Sequence, residues 1–252
     1  MTVAIFIPAR LESRRLPKKL IQQIGDKPLI LHVVDRAIES IAERIIVATD
    51  SVEIMTILSG KDNVECVMTS KEHQTGSDRI YEALSKIDPD KKIKYIMNLQ
   101  GDLPFIKPKL INELIEKITD SKADAITLAY PIPSNEIGKA GNENVTKAAI
   151  SFYDDSNKFG KALYFSRQPI PHNATRYYEH IGIYLFKREA LEKFVNCPVS
   201  SLEKMEKLEQ IRLLENNMSI DIFITDTPTV NVDTNEGLER ARKEHSQKEL
   251  TE

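Results

Sequence analysis

Residues 3–19, VAIFIPARLESRRLPKK, carry a short apolar β-branched run straight into a loop holding Arg10, Arg14, Arg15, Lys18 and Lys19. The run reads as a first strand whose residues are apolar on both faces, which belongs in the middle of a parallel sheet. Five cations in ten positions repel one another unless something anionic neutralises them. Arg10, Arg15 and Lys19 lie where a loop after a first strand would converge on a polyanion, and a triphosphate suits them. The ordinary alternative for such a charge run is a solvated basic loop.

The pattern continues outward from that strand. An amphipathic stretch over 28–41 places Ile30, Val33, Val34, Ala37, Ile38 and Ile41 on one helical face, and strands follow at 44–50, 64–69 and 95–102. Helices at 53–58, 78–87 and 108–118 separate them, the last opening on Pro108 at a first-turn position. Alternation of this kind implies an α/β fold, Rossmann-like, with a mostly parallel sheet and helices on both faces. After about residue 125 the rhythm changes, with strands at 126–132, 144–153, 161–167 and 180–186 and few helices between them. They read as a smaller mixed or antiparallel β insertion, spanning 125–200, within a single domain of 1–252. Helices at 188–195 and 201–216, a strand at 220–226 and a helix at 235–245 close the chain, and the polar end 247–252 is expected to fray.

Composition sets limits on partners. The 252 residues are 41% hydrophobic and 29% charged, enough for a substantial core, and the net charge of -3 gives no general attraction for nucleic acid. Cys66 and Cys197 stand far apart with no C-x-x-C spacing, so neither a zinc site nor a disulfide framework is indicated. The N-terminus lacks the features of a secretory signal and no run is long enough for a membrane span, so a cytoplasmic protein without membrane insertion is expected.

Neither G-x-G-x-x-G nor G-x-x-x-x-G-K-[ST] occurs, which argues against an ordinary dinucleotide fold and a P-loop NTPase. Ligands of parallel sheets gather at the carboxyl ends of the strands, and there the chain places Thr49 and Asp50, the segment 73–79, and Gln100 to Asp102. Asp102, between Gly101 and the strand-ending Leu103-Pro104, is displayed at such a rim, where one or two carboxylates commonly hold Mg2+ together with substrate phosphates. Asp233 is a second strand-end acid, just before a helix that it could equally cap. In the segment 73–79, Thr75 or Ser77 could cap the following helix.

Taken in order, IPARLESRRLPKKL, TSKEHQTGSDR, NLQGDLPF, ALYFSR, HIGIY, LEKMEKLEQIRLLENN and VNVDTNEGLER resemble the 3-deoxy-manno-octulosonate cytidylyltransferases, the CMP-Kdo synthetases of lipopolysaccharide synthesis. The resemblance runs from residue 3 to about 243. It implies that CTP and Kdo react to CMP-Kdo and pyrophosphate, with Mg2+ as cofactor, in an enzyme that is generally a homodimer. It further implies that Arg10, Ser13, Arg15 and Lys19 hold the triphosphate, that Gln74 and Ser77 in the nucleotide-side loop 73–79, with Gln100, meet the cytidine base, that Asp102 and Asp233 are metal ligands, and that Arg167, His180, Tyr184 and Gln210 face the sugar acid. Arg15, Lys19, Asp102 and Asp233 are thus the expected catalytic set. Glu209 competes with Gln210 for the inward direction. A cytidylyltransferase for sialic acid or 8-amino Kdo, and a nucleotide-binding protein that keeps the fold without turnover, are the alternatives. The chain departs from the family's R-L-P-G-K-P by carrying Lys18 at the glycine, and Leu103 follows Asp102 where Glu is common.

Overall fold

The computed structural model describes residues 2–13 and 15–249, so Met1, Arg14 and residues 250–252 lie outside it. The chain forms two compact units, one of residues 1–115 with 229–252 and one of residues 116–228.

In the first unit, β1 (Val3–Ala9), β4 (Arg44–Thr49), β5 (Val64–Met68) and β6 (Tyr95–Asn98) pair in the order β5-β4-β1-β6, every pair parallel. Strand β1 is buried along almost its whole length, as its run of apolar residues requires. The helices α1 (Leu29–Ile38), α2 (Val52–Leu58) and α3 (Gly76–Ile87) connect these strands, and α4 (Pro108–Lys117) follows them. Leu29, Ile30, Val33, Val34 and Ala37 bury the inner face of α1, each worth about 1.5–3 kcal/mol for the larger side chains. That helix ends three residues before the periodicity does. The Ser40 hydroxyl takes the Ala37 carbonyl at 2.6 Å, and Ile41, assigned to the buried face from its spacing, is 55% exposed.

The strand order reverses between β1 and β6. Two loops leaving a parallel sheet on either side of such a reversal open a crevice at the carboxyl ends of the strands. Here they are the basic loop after Ala9 and the loop of Gln100 to Asp102, with Leu99 N–H donating to the Phe6 carbonyl at 3.0 Å to keep the two strand ends level. A hairpin absent from the sequence reading, β2 (Gln23–Ile24) with β3 (Lys27–Pro28), follows the basic loop and turns at Gly25, whose φ is +60°. The last helix, α8 (Asn235–Glu249), lies on it: Arg242 Nε donates to the Gln23 carbonyl at 3.0 Å, and a Cβ at Gly25 would sit 2.4 Å from the His245 ring. This helix extends to Glu249, beyond the expected end at 245, so residues 247–249 are helical rather than frayed.

The second unit contains β7 (Ala125–Pro131), β8 (Lys147–Phe152), β9 (Phe159–Ser166), β10 (Tyr178–Lys187) and β11 (Ile220–Ile224), in the order β10-β7-β11-β9-β8. Only β7 and β11 run parallel; the other pairs are antiparallel. A single bridge between Glu179 and Lys147 joins β10 to β8 and closes the ring of strands. The expectation of a mostly parallel sheet therefore gives way to a mixed α/β fold. The reason is that β9 and β10 run opposite to β7, β8 and β11, so that within the second unit only the pair β7 and β11 is parallel.

The helix expected over 201–216 is two helices, α6 (Ser201–Glu206) and α7 (Ile211–Glu215), after α5 (Arg188–Asn196). Lys207 takes a left-handed conformation, φ 56°, which stops α6. A buried pair of Arg212 with Glu203, at 2.6 and 2.8 Å, holds the two pieces together.

Candidate active site

In the first unit the basic loop meets Asp102, in the turn after β6, and Asp233, which lies in an irregular segment just before α8 and not at the strand end expected for it. Lys19 Nζ donates to Asp102 Oδ2 at 2.5 Å and to Asp233 Oδ1 at 2.9 Å, and Arg15 donates to Asp233 Oδ2 at 2.9 Å. The Lys19 and Asp102 side chains are each 15% exposed, so this charge contact is well shielded from water. Burial and the adjacent Asp233 push the Asp102 carboxyl above its ordinary value despite Lys19. Burial acts on Asp233 in the same sense, but Lys19 and Arg15 outweigh it and hold that carboxyl low. Burial alone would lower the Lys19 ammonium, yet the two acids raise it above the usual lysine value.

Local structure explains why these side chains are available. Thr234, not Asp233, caps α8: its hydroxyl accepts from Gly237 N–H at 3.1 Å, so the capping role weighed for Asp233 is filled by its neighbour. Val232 N–H donates to the Asp102 carbonyl at 3.0 Å, tying the two acid-bearing segments together. Gly101 is packed so closely that a Cβ would lie 3.2 Å from Leu20 and 3.4 Å from the Pro8 carbonyl. A side chain there would push the Asp102 loop off the basic loop.

Lys18 stands at φ 51°, the left-handed conformation that a glycine would take without strain. Its ammonium turns to Glu53 at 3.2 Å, whereas Lys19 turns to the acids. The start of the loop is fixed by Asp50, which accepts from Leu11 N–H at 3.2 Å and from the buried Arg79 at 2.7 Å. Sequence reading placed Asp50 and Arg79 at strand ends without pairing them; two opposite charges 29 residues apart carry no local spacing signal. Arg10 is exposed and Ser13 half-buried on the same loop.

The segment 73–79 divides its roles. Thr75 accepts from Asp78 N–H at 3.2 Å and caps α3, leaving Ser77 fully buried beside Asn98, whose Nδ2 lies 3.5 Å from its hydroxyl. Gln100 donates to Asn98 Oδ1 at 2.9 Å. Gln74 is exposed and donates to the Glu72 carbonyl at 3.0 Å.

Arg167, His180, Tyr184 and Gln210 all belong to the second unit. The Arg167 guanidinium donates to the carbonyls of Glu206 and Glu143 at 2.9 Å each and of Lys207 at 3.4 Å, so it also finishes the C-terminus of α6. His180 Nε2 lies 3.0 Å from the Thr127 hydroxyl, which itself donates to the Ile183 carbonyl at 2.6 Å. With its proton so engaged, Thr127 accepts from His180, which fixes the Nε2–H tautomer. Burial lowers the His180 imidazole to about 3, so the ring is neutral. An irregularity in β10 between Ile181 and Tyr184 brings the two rings to 5.3 Å. Tyr184 is 4% exposed and its hydroxyl has no partner among the described residues; burial and then Glu209 raise it well above the ordinary tyrosine value. Gln210 is buried and Glu209 only half-buried, so the inward direction falls to Gln210.

Two carboxylates around one shielded ammonium are hard oxygen donors already arranged about a cation, which suits magnesium. Among the described residues no group of three or more His, Cys, Asp or Glu gathers for a metal, so an ion at Asp102 and Asp233 would complete its ligands from substrate oxygens.

A family model for cytidylyltransferases matches residues 4–220, and the class is thereby a nucleotidyltransferase. A 3-deoxy-manno-octulosonate cytidylyltransferase of Bartonella henselae is 45% identical over 239 residues, covering 95% of this chain and 96% of that protein. A solved CMP:2-keto-3-deoxy-manno-octonic acid synthetase complexed with CTP superposes with a TM-score of 0.88 at 32% identity, covering 98% of this chain and all of the other. A UTP-bound UGPase from Acinetobacter baumannii shares the fold alone, with a TM-score of 0.70 at 15% identity over 98% of this chain and 94% of its own. The chain belongs to the 3-deoxy-manno-octulosonate cytidylyltransferases.

Proposed function

We propose that the protein transfers the cytidylyl group of CTP to Kdo, giving CMP-Kdo and pyrophosphate, for lipopolysaccharide synthesis in the cytoplasm. The observation that carries this reading is the shielded cluster of Lys19 with Asp102 and Asp233 beside the basic loop. The 2-hydroxyl oxygen of Kdo forms a bond to the α-phosphorus, the bond from that phosphorus to the bridging oxygen breaks, and the hydroxyl proton passes to water. Charge builds on the leaving pyrophosphate, so most of the acceleration comes from fixed cations and positioning.

Arg10, Ser13, Arg15 and Lys19 take the triphosphate. When substrate arrives, Lys19 and Arg15 exchange a carboxylate partner for phosphate oxygens, which leaves Asp102 and Asp233 free to hold magnesium. A bound magnesium ion supplies Lewis-acid stabilisation of phosphate charge and lowers the pKa of an attacking hydroxyl. Ser77 and Gln100, linked through Asn98, line the base side, with Gln74 at its exposed edge.

Arg167, His180, Tyr184 and Gln210 take the sugar acid. The buried, unpartnered Tyr184 hydroxyl supports this, because such a group is held at a loss until a ligand oxygen meets it. Neutral His180 offers Nδ1 as an acceptor for a sugar hydroxyl, and Arg167 is suited to the carboxylate. The span 125–200 supplies a homodimer contact, a role consistent with the exposed Tyr153 and Leu163, each 57% accessible.

The test is pyrophosphate release from CTP with magnesium and a panel of Kdo, 8-amino Kdo and sialic acid. Turnover with Kdo that disappears with EDTA is expected. Equal turnover with sialic acid, or none with any 2-keto sugar acid, overturns the assignment.

A further inference from the structure

Lys147 is a charged residue with no accessible surface, on a strand that neither the phosphate cluster nor the sugar-side set includes. Its ammonium donates to the carbonyls of Asn142 at 3.0 Å and Val145 at 2.6 Å, and to the carbonyl of Arg167. Three donors thus meet three backbone acceptors, which is the whole capacity of an ammonium group.

Its place in the ring of strands is unusual. Lys147 opposes Ser166 on β9 and Glu179 on β10, and the latter bridge is the one that closes the ring. The residues immediately after those two partners are Arg167 and His180. The residue before Lys147 completes the arrangement, since His180 N–H donates to the Thr146 carbonyl at 2.8 Å. One short segment, 146–147, therefore ties the backbones of both residues. Glu143, whose carbonyl receives the Arg167 guanidinium, lies in the loop that Lys147 gathers through Asn142 and Val145.

We infer that Lys147 is a positioning residue for the sugar acid, fixing the spacing of Arg167 and His180 from beneath by tying the Arg167 carbonyl to the strand that carries His180. The inference rests on the assignment of Arg167 and His180 to the sugar. An ammonium suits this work better than an uncharged donor, because it can converge three bonds from one atom and each bond is charge-assisted. Its burial is tolerable for the same reason, all three protons being matched.

Steady-state kinetics of the full chain with CTP and Kdo varied in turn test this. Lys147→Gln is expected to raise KM for Kdo roughly tenfold or more, since small displacements of positioned groups have effects of that order, while KM for CTP stays at the wild-type value. Asp221→Asn controls for general weakening of the same unit: it disrupts a buried cluster with Ser121 and Tyr153 and is expected to leave KM for Kdo alone. An unchanged KM for Kdo in Lys147→Gln, or equal rises for both substrates, overturns the inference. Should Lys147→Gln fail to fold, amide hydrogen exchange on the wild-type enzyme decides: Kdo alone is expected to slow exchange across 142–147, CTP alone not, and equal behaviour overturns it. Should the wild type turn over a different 2-keto sugar acid instead of Kdo, the substrate reading fails, and the same comparisons are made with the accepted sugar.

Discussion

Lys19 and Lys147 are both lysines withdrawn from water, one in each unit, and their surroundings shift them in opposite directions. Lys19 faces two carboxylates, and its ammonium is raised above the ordinary lysine value. Lys147 donates to three backbone carbonyls, and burial, followed by the nearby Arg167 charge, lowers it despite Glu206, Glu143 and Glu179. A carboxylate partner can be exchanged for a phosphate at little loss, whereas a nest of backbone carbonyls cannot be replaced without moving the chain. The difference teaches which lysine is built to change partners and which is built to stay.

The largest break in this comparison is expected at the acids. Asp102→Asn or Asp233→Asn should each lower kcat by about 10²–10³ with an unchanged circular dichroism spectrum. Retained activity in either would remove that acid from the metal role. Next, Arg167→Lys keeps a charge but cannot span the carbonyls of Glu143, Glu206 and Lys207. A stability loss of about 1–3 kcal/mol in denaturant titration, together with a raised KM for Kdo, is the expected outcome; a change in the KM for CTP alone would contradict it.

A pH effect sharpens the contrast further. His180 has a folded pKa of about 3, below its unfolded value near 6.5. Its contribution is therefore fully present above the unfolded value and is lost as pH falls from about 6.5 toward the folded one, by at most about 1.4 kcal/mol per pH unit. His180→Asn should flatten that part of the stability profile, and an identical slope in the variant would show that other groups set it. The smallest effect belongs to Lys18→Gly, which relieves a left-handed lysine worth roughly 1 kcal/mol and forfeits an exposed ion pair worth about 0–1 kcal/mol. Turnover should be unchanged and Tm within a few degrees of wild type, whereas a collapse of turnover would put Lys18 on the phosphate.

Much of this site was legible in the sequence because its residues follow strands. Lys19 and Asp102 each stand beyond an apolar strand of the parallel sheet, whereas Asp233, expected at a strand end, is brought to them by an irregular segment tied to the Asp102 loop through Val232. Arg14, one of the five cations of the basic loop, lies outside the described residues. What could not be read were the pairings made across the fold. The bond between Asp50 and Arg79, the carbonyl nest around Lys147 and the closing bridge of β8 with β10 have no periodic signature. The break at Lys207 was hidden for a different reason: its sequence is a good helix former on both sides, and the groups that bond the two sides of the break, Arg167 on the Glu206 and Lys207 carbonyls and Arg212 on Glu203, come from outside α6. The capping of α8 was an ambiguity of adjacent residues, and only the observed bond assigns it to Thr234.

Helix α8 has a consequence for anyone altering the far end of the chain. It is a rod of 15 residues, about 22 Å long, with Asp233 just ahead of one end. Arg242 and His245 rest on the turn that follows the Lys19 loop. Such a rod can neither slide nor rotate about its axis without dragging either its acid or that turn. Clipping the helix before Arg242, or enlarging Gly25, would therefore act as a remote adjustment of where Asp233 stands beside Lys19.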